Sequence, residues 1–257
     1  MPALSTYREP PLDLLDTPAL GAEGYVFLPA PQFKPFLETC GGSADWNSFA
    51  TSWQRLPLDL HMADGGRYRR RRHAVFRLAA TGLLTRQLHR PHFQHLAYNR
   101  LNGGIARWFS PMEPDIAMGQ TFRSLVAAGQ RVITAHLGVC CAWELEAHQF
   151  RIEASPAREA QSARPTPEGI HRDGVDFAMV VLIRREGVAS GVTALYRPDR
   201  SRIGHFTLER PGDFLLLDDQ QVLHGVTPIT ALGQGHAYRD VLVVTFRRAP
   251  EPSAGHS

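Results

Sequence analysis

The sequence predicts an α+β chain in which helices come first and the C-terminal half closes into an antiparallel double-sheet barrel, with the jelly roll as first candidate. Three observations lead there. Helical spacing of apolar residues recurs before residue 140, as in Phe33, Phe36 and Leu37. After it come short segments of strand composition, broken by Gly, Pro and Asp at intervals of roughly 10–15 residues. An HxD pair, His171 and Asp173, stands at the entrance of the most apolar of those segments, Phe177 to Ile183.

Residues 1–30 are Pro-rich and weakly patterned and read as an extended lead-in, with no basic start followed by an apolar core as a signal peptide would have. PQFKPFLETC then reads as a helix. Residues 44–56 read as a second, whose Trp46, Phe49 and Trp53 form a stripe that belongs to the core. Asp64-Gly65-Gly66 signals a turn, followed by the cationic run Arg67 and Arg69 to Arg72. Alternation puts Arg69 and Arg71 on one face and Arg70 and Arg72 on the other, so that some pair with carboxylates inside the fold while others meet solvent. Residues 90–109 mix aromatics with an Asn-Gly-Gly turn. Pro111 to His136 has the strongest helical pattern, with Met112, Ile116, Met118, Phe122, Leu125, Val126 and Val132 on its apolar stripe. WELEAHQFRIEA, FAMVVLIRR, VTALYRP, HFTLERPG, DFLLLDD, VLHGVTPI and RDVLVVTFRR supply the strands, and APEPSAGHS (249–257) reads as a disordered tail.

Composition narrows the function classes. A chain of 257 residues with 43% hydrophobic content suits one large domain with a full core. Its formal net charge of +3 does not by itself argue for nucleic acid or a membrane surface. Three cysteines, Cys40, Cys140 and Cys141, form neither a disulfide framework nor a CxxC zinc pattern, and reduced thiols in a cytoplasmic protein are the simple reading. The longest apolar run falls far short of the ~20 residues that span a bilayer.

The chemistry gathers at the HxD pair. Residues i and i+2 of an extended segment point to one face, so His171 and Asp173 converge without a turn between them. Taken alone, the pair is equally an ordinary polar entry to a strand. A second imidazole follows at His224 in QVLHGVTPI, 51 residues beyond Asp173, enough chain to wrap round a barrel and return. Two His and one Asp can hold one face of an octahedral metal and leave three positions open. Arg239 follows in YRDVLVVTF, sharing a face with Val241, Val243 and Thr245. An Arg among β-branched neighbours needs an anion, either a protein carboxylate such as Asp218 or Asp219 or a dicarboxylate cosubstrate held bidentately.

The runs PEGIHRDGVDF, LHGVTPI and YRDVLVVTFRR, with DGGRYRRRRH, YNRLNGGIARWF and HQFRI upstream, resemble the bacterial 2-oxoglutarate and Fe(II)-dependent dioxygenases typified by L-isoleucine 4-hydroxylase. The similarity extends over about residues 57–248. Arg172 stands between the two ligand positions where the family often has Gln, and GVTALY lacks the acidic residue expected there. The resemblance implies a double-stranded β-helix, a cupin-like jelly roll with N-terminal helices packed on it. The single domain would span 31–248, divided into a helical elaboration (31–140) and a jelly-roll core (141–248). It implies that His171, Asp173 and His224 bind Fe(II), and that Arg239, with Thr245 on its face, binds 2-oxoglutarate. O2 would be the second cosubstrate, with succinate and CO2 as coproducts.

The substrate implied is a free aliphatic L-amino acid such as Ile, Leu or Met, hydroxylated on its side chain or oxidised at sulfur. Arg151, Gln149, Asp176, Tyr98 and Trp108 are its candidate contacts, each with an ordinary structural role as the competing reading. Other small molecules remain open as substrates. A cupin-like metal-binding protein without oxygenase activity would keep the His and Asp set without needing Arg239, whereas a nucleic-acid module would use the Arg67 to Arg72 run and bind with steep salt dependence. The expectation is a cytoplasmic enzyme acting on a small molecule, with no nucleic-acid or membrane partner. Its oligomeric state is left open, a homodimer included.

Overall fold

The computed structural model describes residues 20–155 and 163–250, so residues 1–19 of the lead-in and residues 251–257 of the tail lie outside the described part. In chain order the first strands are β1 (Tyr25–Leu28), β2 (Arg69–Leu78), β3 (Leu84–Arg86), β4 (Trp143–Ala154), β5 (Phe177–Glu186) and β6 (Val188–Ser190). They are followed by β7 (Val192–Tyr196), β8 (Arg202–Thr207), β9 (Phe214–Asp218), β10 (Leu223–Val226), β11 (Ile229–Ala231) and β12 (Ala237–Arg248). The helices are α1 (Ala30–Thr39), α2 (Trp46–Thr51), α3 (Pro114–Ala117) and α4 (Gln120–Leu137), and a 3-10 turn over Ser52–Arg55 continues α2.

Seven antiparallel strands form the large sheet in the order β1-β9-β5-β12-β4-β2-β3. Opposite it stand β10-β7-β8 and the pair β11-β6, which complete the jelly roll. The sheet is not confined to residues 141–248. β1 comes from the expected lead-in and pairs with β9, while β2 and β3 come from the expected helical part, β2 running in register along β4 from Arg69↔Ile152 to Leu78↔Trp143.

One face of the large sheet carries the helices. Phe33, Phe36, Phe49, Trp53, Phe122 and Leu125 pack there against Phe76, Leu145, Val181, Leu216, Leu242 and Phe246 in a single buried cluster. Burying side chains of this size is worth roughly 1.5–3 kcal/mol apiece, so this layer is the main stabilising core. The indole N–H of Trp53 also donates to the carbonyl of Phe150 at 3.0 Å, tying the 3-10 turn to β4.

The long helix expected over Pro111 to His136 is two helices. Gly119 is extended (φ −63°, ψ 160°), and an Asp45 oxygen accepts the Thr121 N–H at 2.7 Å, satisfying a free donor at a new helix start. Met112 lies before both helices and is nevertheless fully buried.

Candidate metal centre and cavity

The face of the large sheet away from the helices looks toward the small sheets across a cavity of about 300 Å³. That size is at the low end for small-molecule pockets, ~300–1,000 Å³. Period-2 alternation decides which side chains reach it. From β12 these are Arg239, Val241, Val243 and Thr245; from β4, Glu144, Glu146, His148, Phe150 and Ile152; from β2, Arg69 and Arg71.

His171, Asp173 and His224 meet at one end of the cavity, with their ligand atoms within 4.8 Å of one another. Backbone pairing brings them there. The N–H of His171 donates to the His224 carbonyl at 2.9 Å and the reverse bond is also 2.9 Å, so the long excursion between them closes on a two-bond bridge. The Nδ1–H of His171 donates to the Gly169 carbonyl at 3.0 Å, which turns Nε2 inward, 3.5 Å from Asp173 Oδ1 and 3.3 Å from Glu168 Oε1. His224 Nε2 is 3.8 Å from Asp173 Oδ2.

Asp219 holds the loop between them. Its carboxylate accepts the backbone N–H groups of Asp173 (2.9 Å), Gly174 (2.7 Å) and Val175 (3.1 Å). Arg172 points away from the cluster and donates to the Gln220 carbonyl at 3.2 Å.

Electrostatics follow from the crowding. Burial disfavours charge on His171, but the carboxylates of Asp173 and Glu168 outweigh it and raise this imidazole to about 9. Burial and the neighbouring His171 charge pull His224 down to about 4. Burial works against the Asp173 carboxylate, yet both imidazoles hold it below its usual range, whereas burial and the charge of Asp173 push Asp219 up. Two imidazole nitrogens and one carboxylate converging on a point fit a non-haem Fe(II) ion. The Nδ1 of His224 is buried with no partner among the described residues.

Arg239 is 2% exposed and lines the same cavity with Thr245. Among the described residues no carboxylate pairs with it, neither Asp218 nor Asp219, and its Nε has no partner. Burial and the nearby Arg185 lower it to about 10, so it stays cationic at neutral pH. A buried cation without a protein counter-ion suits a ligand carboxylate, as the distal end of 2-oxoglutarate would supply.

The other expected contacts divide. Tyr98 lines the cavity, and its ring packs on Gly174, where a Cβ would come within 2.4 Å of a ring carbon. Trp108 is 61% exposed and outside the cavity. Gln149 and Arg151 are on the opposite face of β4. Gln149 donates to Ser52 Oγ at 2.8 Å, and Arg151 makes two 2.7 Å bonds to Asp240. Asp176 faces away as well, accepting the Arg248 N–H at 2.7 Å. The phase of β4 was readable: Trp143, Leu145 and Ala147 are its apolar set, so the even positions had to face the cavity.

Those even positions carry residues the sequence reading passed over. Glu146 accepts from His73 Nε2 at 3.2 Å and from His92 Nδ1 through a shorter bond, with His148 Nε2 3.7 Å away. Despite its burial, hydrogen bonds from His73 and His92 hold Glu146 well below its usual range. The four side chains are close enough to be a second metal candidate. Arg71, however, donates to His148 Nδ1 at 2.8 Å, so that ring keeps its proton on Nε2 and aims an N–H, not a lone pair, at Glu146. The group is therefore a hydrogen-bonded carboxylate cage. Arg71 itself is clamped between the rings of Phe109 (3.6 Å) and Phe150 (4.4 Å), and with Arg69 it faces buried Asp59 at 3.8 Å and 2.7 Å respectively. Arg70 and Arg72 point the other way, toward Glu153 and Glu113.

The sequence matches a family model described as 2OG-Fe dioxygenase over residues 50–245. The chain is 25% identical over 244 residues to the 3(1)-hydroxy-L-isoleucine 4-dioxygenase of Pantoea ananatis, covering 91% of this chain and 96% of that protein. It is 26% identical over 162 residues to the L-isoleucine-4-hydroxylase of Bacillus thuringiensis, covering 60% and 64%. Among solved structures, a bsmA homolog from Methylobium petroleophilum PM1 superposes with a TM-score of 0.77 at 38% identity, covering 91% of this chain and 92% of that one. The structure of IDO from Bacillus thuringiensis shares the fold, with a TM-score of 0.72 at 17% identity over 89% of this chain and 96% of that one.

Proposed function

This chain belongs to the 2OG-Fe dioxygenase family, and on that premise we propose that it oxidises the side chain of a free aliphatic L-amino acid such as Ile, Leu or Met. Fe(II), 2-oxoglutarate and O2 are its cofactor and cosubstrates, and succinate and CO2 leave as coproducts. The observation that carries the reading is the convergence of His171, Asp173 and His224 on the cavity that also receives the unpaired Arg239. The substrate class is supported by the names of the curated relatives, by a cavity of small-molecule size, and by walls that carry both signs of charge.

His171, Asp173 and His224 would hold the iron, and Arg239 with Thr245 the distal carboxylate of the keto acid. Iron held there would supply the oxidising power for hydroxylating an unactivated C–H bond, coupled to oxidative decarboxylation of the keto acid. The protein's own contribution is position and dryness. The Gly169 carbonyl fixes the His171 ring, Asp219 fixes the loop that presents Asp173, and Val180, Val241 and Val243 keep water from the reacting carbon. Residues 31–248, extended by β1 (Tyr25–Leu28), act as one catalytic domain in this reading. A reducing, cytoplasmic setting suits the three free cysteines; among the described residues no helix is long and apolar enough to cross a membrane.

The test is succinate formation with anaerobically added Fe(II), 2-oxoglutarate and then O2, against the twenty free L-amino acids. Stimulation by one or a few aliphatic amino acids, lost in His171→Ala and Arg239→Ala, is the expected result. Steady succinate formation that no amino acid stimulates would sink the substrate class and leave the family chemistry standing.

A further inference from the structure

Six arginines line the cavity, and four of them are already engaged. Arg69 and Arg71 face Asp59, Arg90 lies 3.5 Å from Glu144, and Arg247 donates to the Gly174 carbonyl at 3.1 Å. Arg239 and Arg107 are left. Each is 2% exposed, each has a buried Nε without a partner, and neither side chain makes a hydrogen bond or an ion pair among the described residues. Arg239 has no carboxylate acting on it, and Arg107 feels Asp59, Glu168 and Glu146 without being hydrogen-bonded to any of them, so both guanidinium groups keep donors for ligand anions. The distal carboxylate of 2-oxoglutarate accounts for one of them.

The backbone shows where Arg107 sits. Its N–H donates to the His92 carbonyl at 2.9 Å and its carbonyl accepts the His92 N–H at 3.0 Å. Residues directly opposite in an antiparallel pair project to the same side. His92 donates to Glu146 Oε2, so Arg107 is aimed at the rim of the Glu146 cage. Both recorded bonds to Glu146 fall on Oε2, and Oε1 has no hydrogen-bond partner among the described residues. A guanidinium with no hydrogen-bonded anion and a carboxylate with a spare oxygen therefore line the same cavity, Glu146 close enough to favour the Arg107 charge without pairing with it.

We propose that Arg107 binds the carboxylate of the substrate and that Glu146 accepts its ammonium. Arg239 is thereby reserved for the cosubstrate, and the substrate side chain extends toward His171, Asp173 and His224. The Glu146 half of the proposal rests on the amino acid reading above. The Arg107 half requires only that the substrate be a carboxylate.

The experiment is calorimetric titration of the full chain loaded with Mn(II) in place of Fe(II) and with 2-oxoglutarate, so that binding is read without turnover. The probes are the free L-amino acids, isocaproate (a carboxylate without the ammonium) and isoamylamine (an ammonium without the carboxylate). In wild type, isocaproate and the aliphatic amino acids bind and isoamylamine does not. Arg107→Gln weakens all the carboxylates on the order of 100-fold while 2-oxoglutarate binding is retained, and Arg107→Lys restores part of the loss. Glu146→Gln weakens the amino acids and spares isocaproate. Thermal melts of each variant separate lost binding from lost folding, with the Lys variant as the milder reference.

The proposal is overturned if folded Arg107→Gln binds carboxylates as wild type does, if it loses 2-oxoglutarate to the same degree, or if no carboxylate probe binds wild type. If isocaproate binds through Arg107 and no amino acid binds, the carboxylate anchor stands while the Glu146 half and the amino acid substrate class both fall.

Discussion

The carboxylate of Asp219 accepts the backbone N–H of Asp173 at 2.9 Å, and with the next two N–H groups it holds the only carboxylate of the candidate iron-binding set in place. Asp219 does not belong to that set itself. Outer partners of this kind typically change metal affinity 10–100-fold when removed. Asp219→Ala is therefore expected to weaken Mn(II) or Fe(II) binding by about that factor, read by calorimetry, with secondary structure retained. Unchanged metal affinity in a folded variant would show that the loop holds its shape without this acceptor.

Arg239→Gln removes the buried cation assigned to the distal carboxylate while keeping hydrogen-bonding capacity. The KM for 2-oxoglutarate should rise roughly 30-fold or more, since losing one partner of a buried charge pair costs about 2–5 kcal/mol. A steady-state assay varying 2-oxoglutarate at saturating amino acid measures it. A normal KM would move the cosubstrate elsewhere in the cavity.

Removing the metal should leave the protein folded. The main core lies on the helix face of the large sheet, away from His171, Asp173 and His224. Chelated protein is expected to keep its circular dichroism spectrum and to lose melting temperature only as binding linkage requires, with the loss vanishing in Asp173→Asn. Unfolding on chelation would make the ion a structural one.

Gly174 has φ +78°, and a Cβ there would lie 2.4 Å from the Tyr98 ring. Gly174→Ala should destabilise by about 1–3 kcal/mol through the left-handed backbone and the clash together. Adding Tyr98→Ala should recover the clash portion only, a coupling that a double-mutant cycle in urea resolves. Full additivity of the two changes would mean that the ring moves aside freely.

Asp59 is buried beneath Arg69 and Arg71. Burial disfavours its charge, but the two arginines outweigh it and hold the carboxyl below its usual range. With the folded value below the unfolded one, the pair's stabilisation is complete above the ordinary carboxylate value of about 4 and is lost as pH falls through the folded value. Asp59→Asn should cost about 3–5 kcal/mol at neutral pH by leaving buried guanidinium groups unmatched. Its melting deficit relative to wild type should shrink on acidification; a deficit constant down to pH values near 3 would contradict this.

Much of the site was legible because its signals are local. HxD in an extended run places two donors on one face, and the parity of β12 puts Arg239 and Thr245 together in the same way. Parity also explains the misreading of Gln149 and Arg151. Extending the apolar phase of Trp143, Leu145 and Ala147 along β4 turns both away from the cavity and turns Glu146 and His148 toward it.

The class of fold, the candidate ligand set His171, Asp173 and His224, and Arg239 were all readable before folding, since each depends on spacing within one element or on a short, specific run of residues. What surrounds them was not. That Asp219 cradles the Asp173 loop, that His73 and His92 converge on Glu146, and that Arg107 lies opposite His92 are consequences of strand order and of loops returning across the barrel. Contacts between residues tens of positions apart carry no period in the sequence. Which buried charges found a partner, and that Arg107 and Arg239 have no hydrogen-bonded one among the described residues, therefore became visible only once the chain was folded.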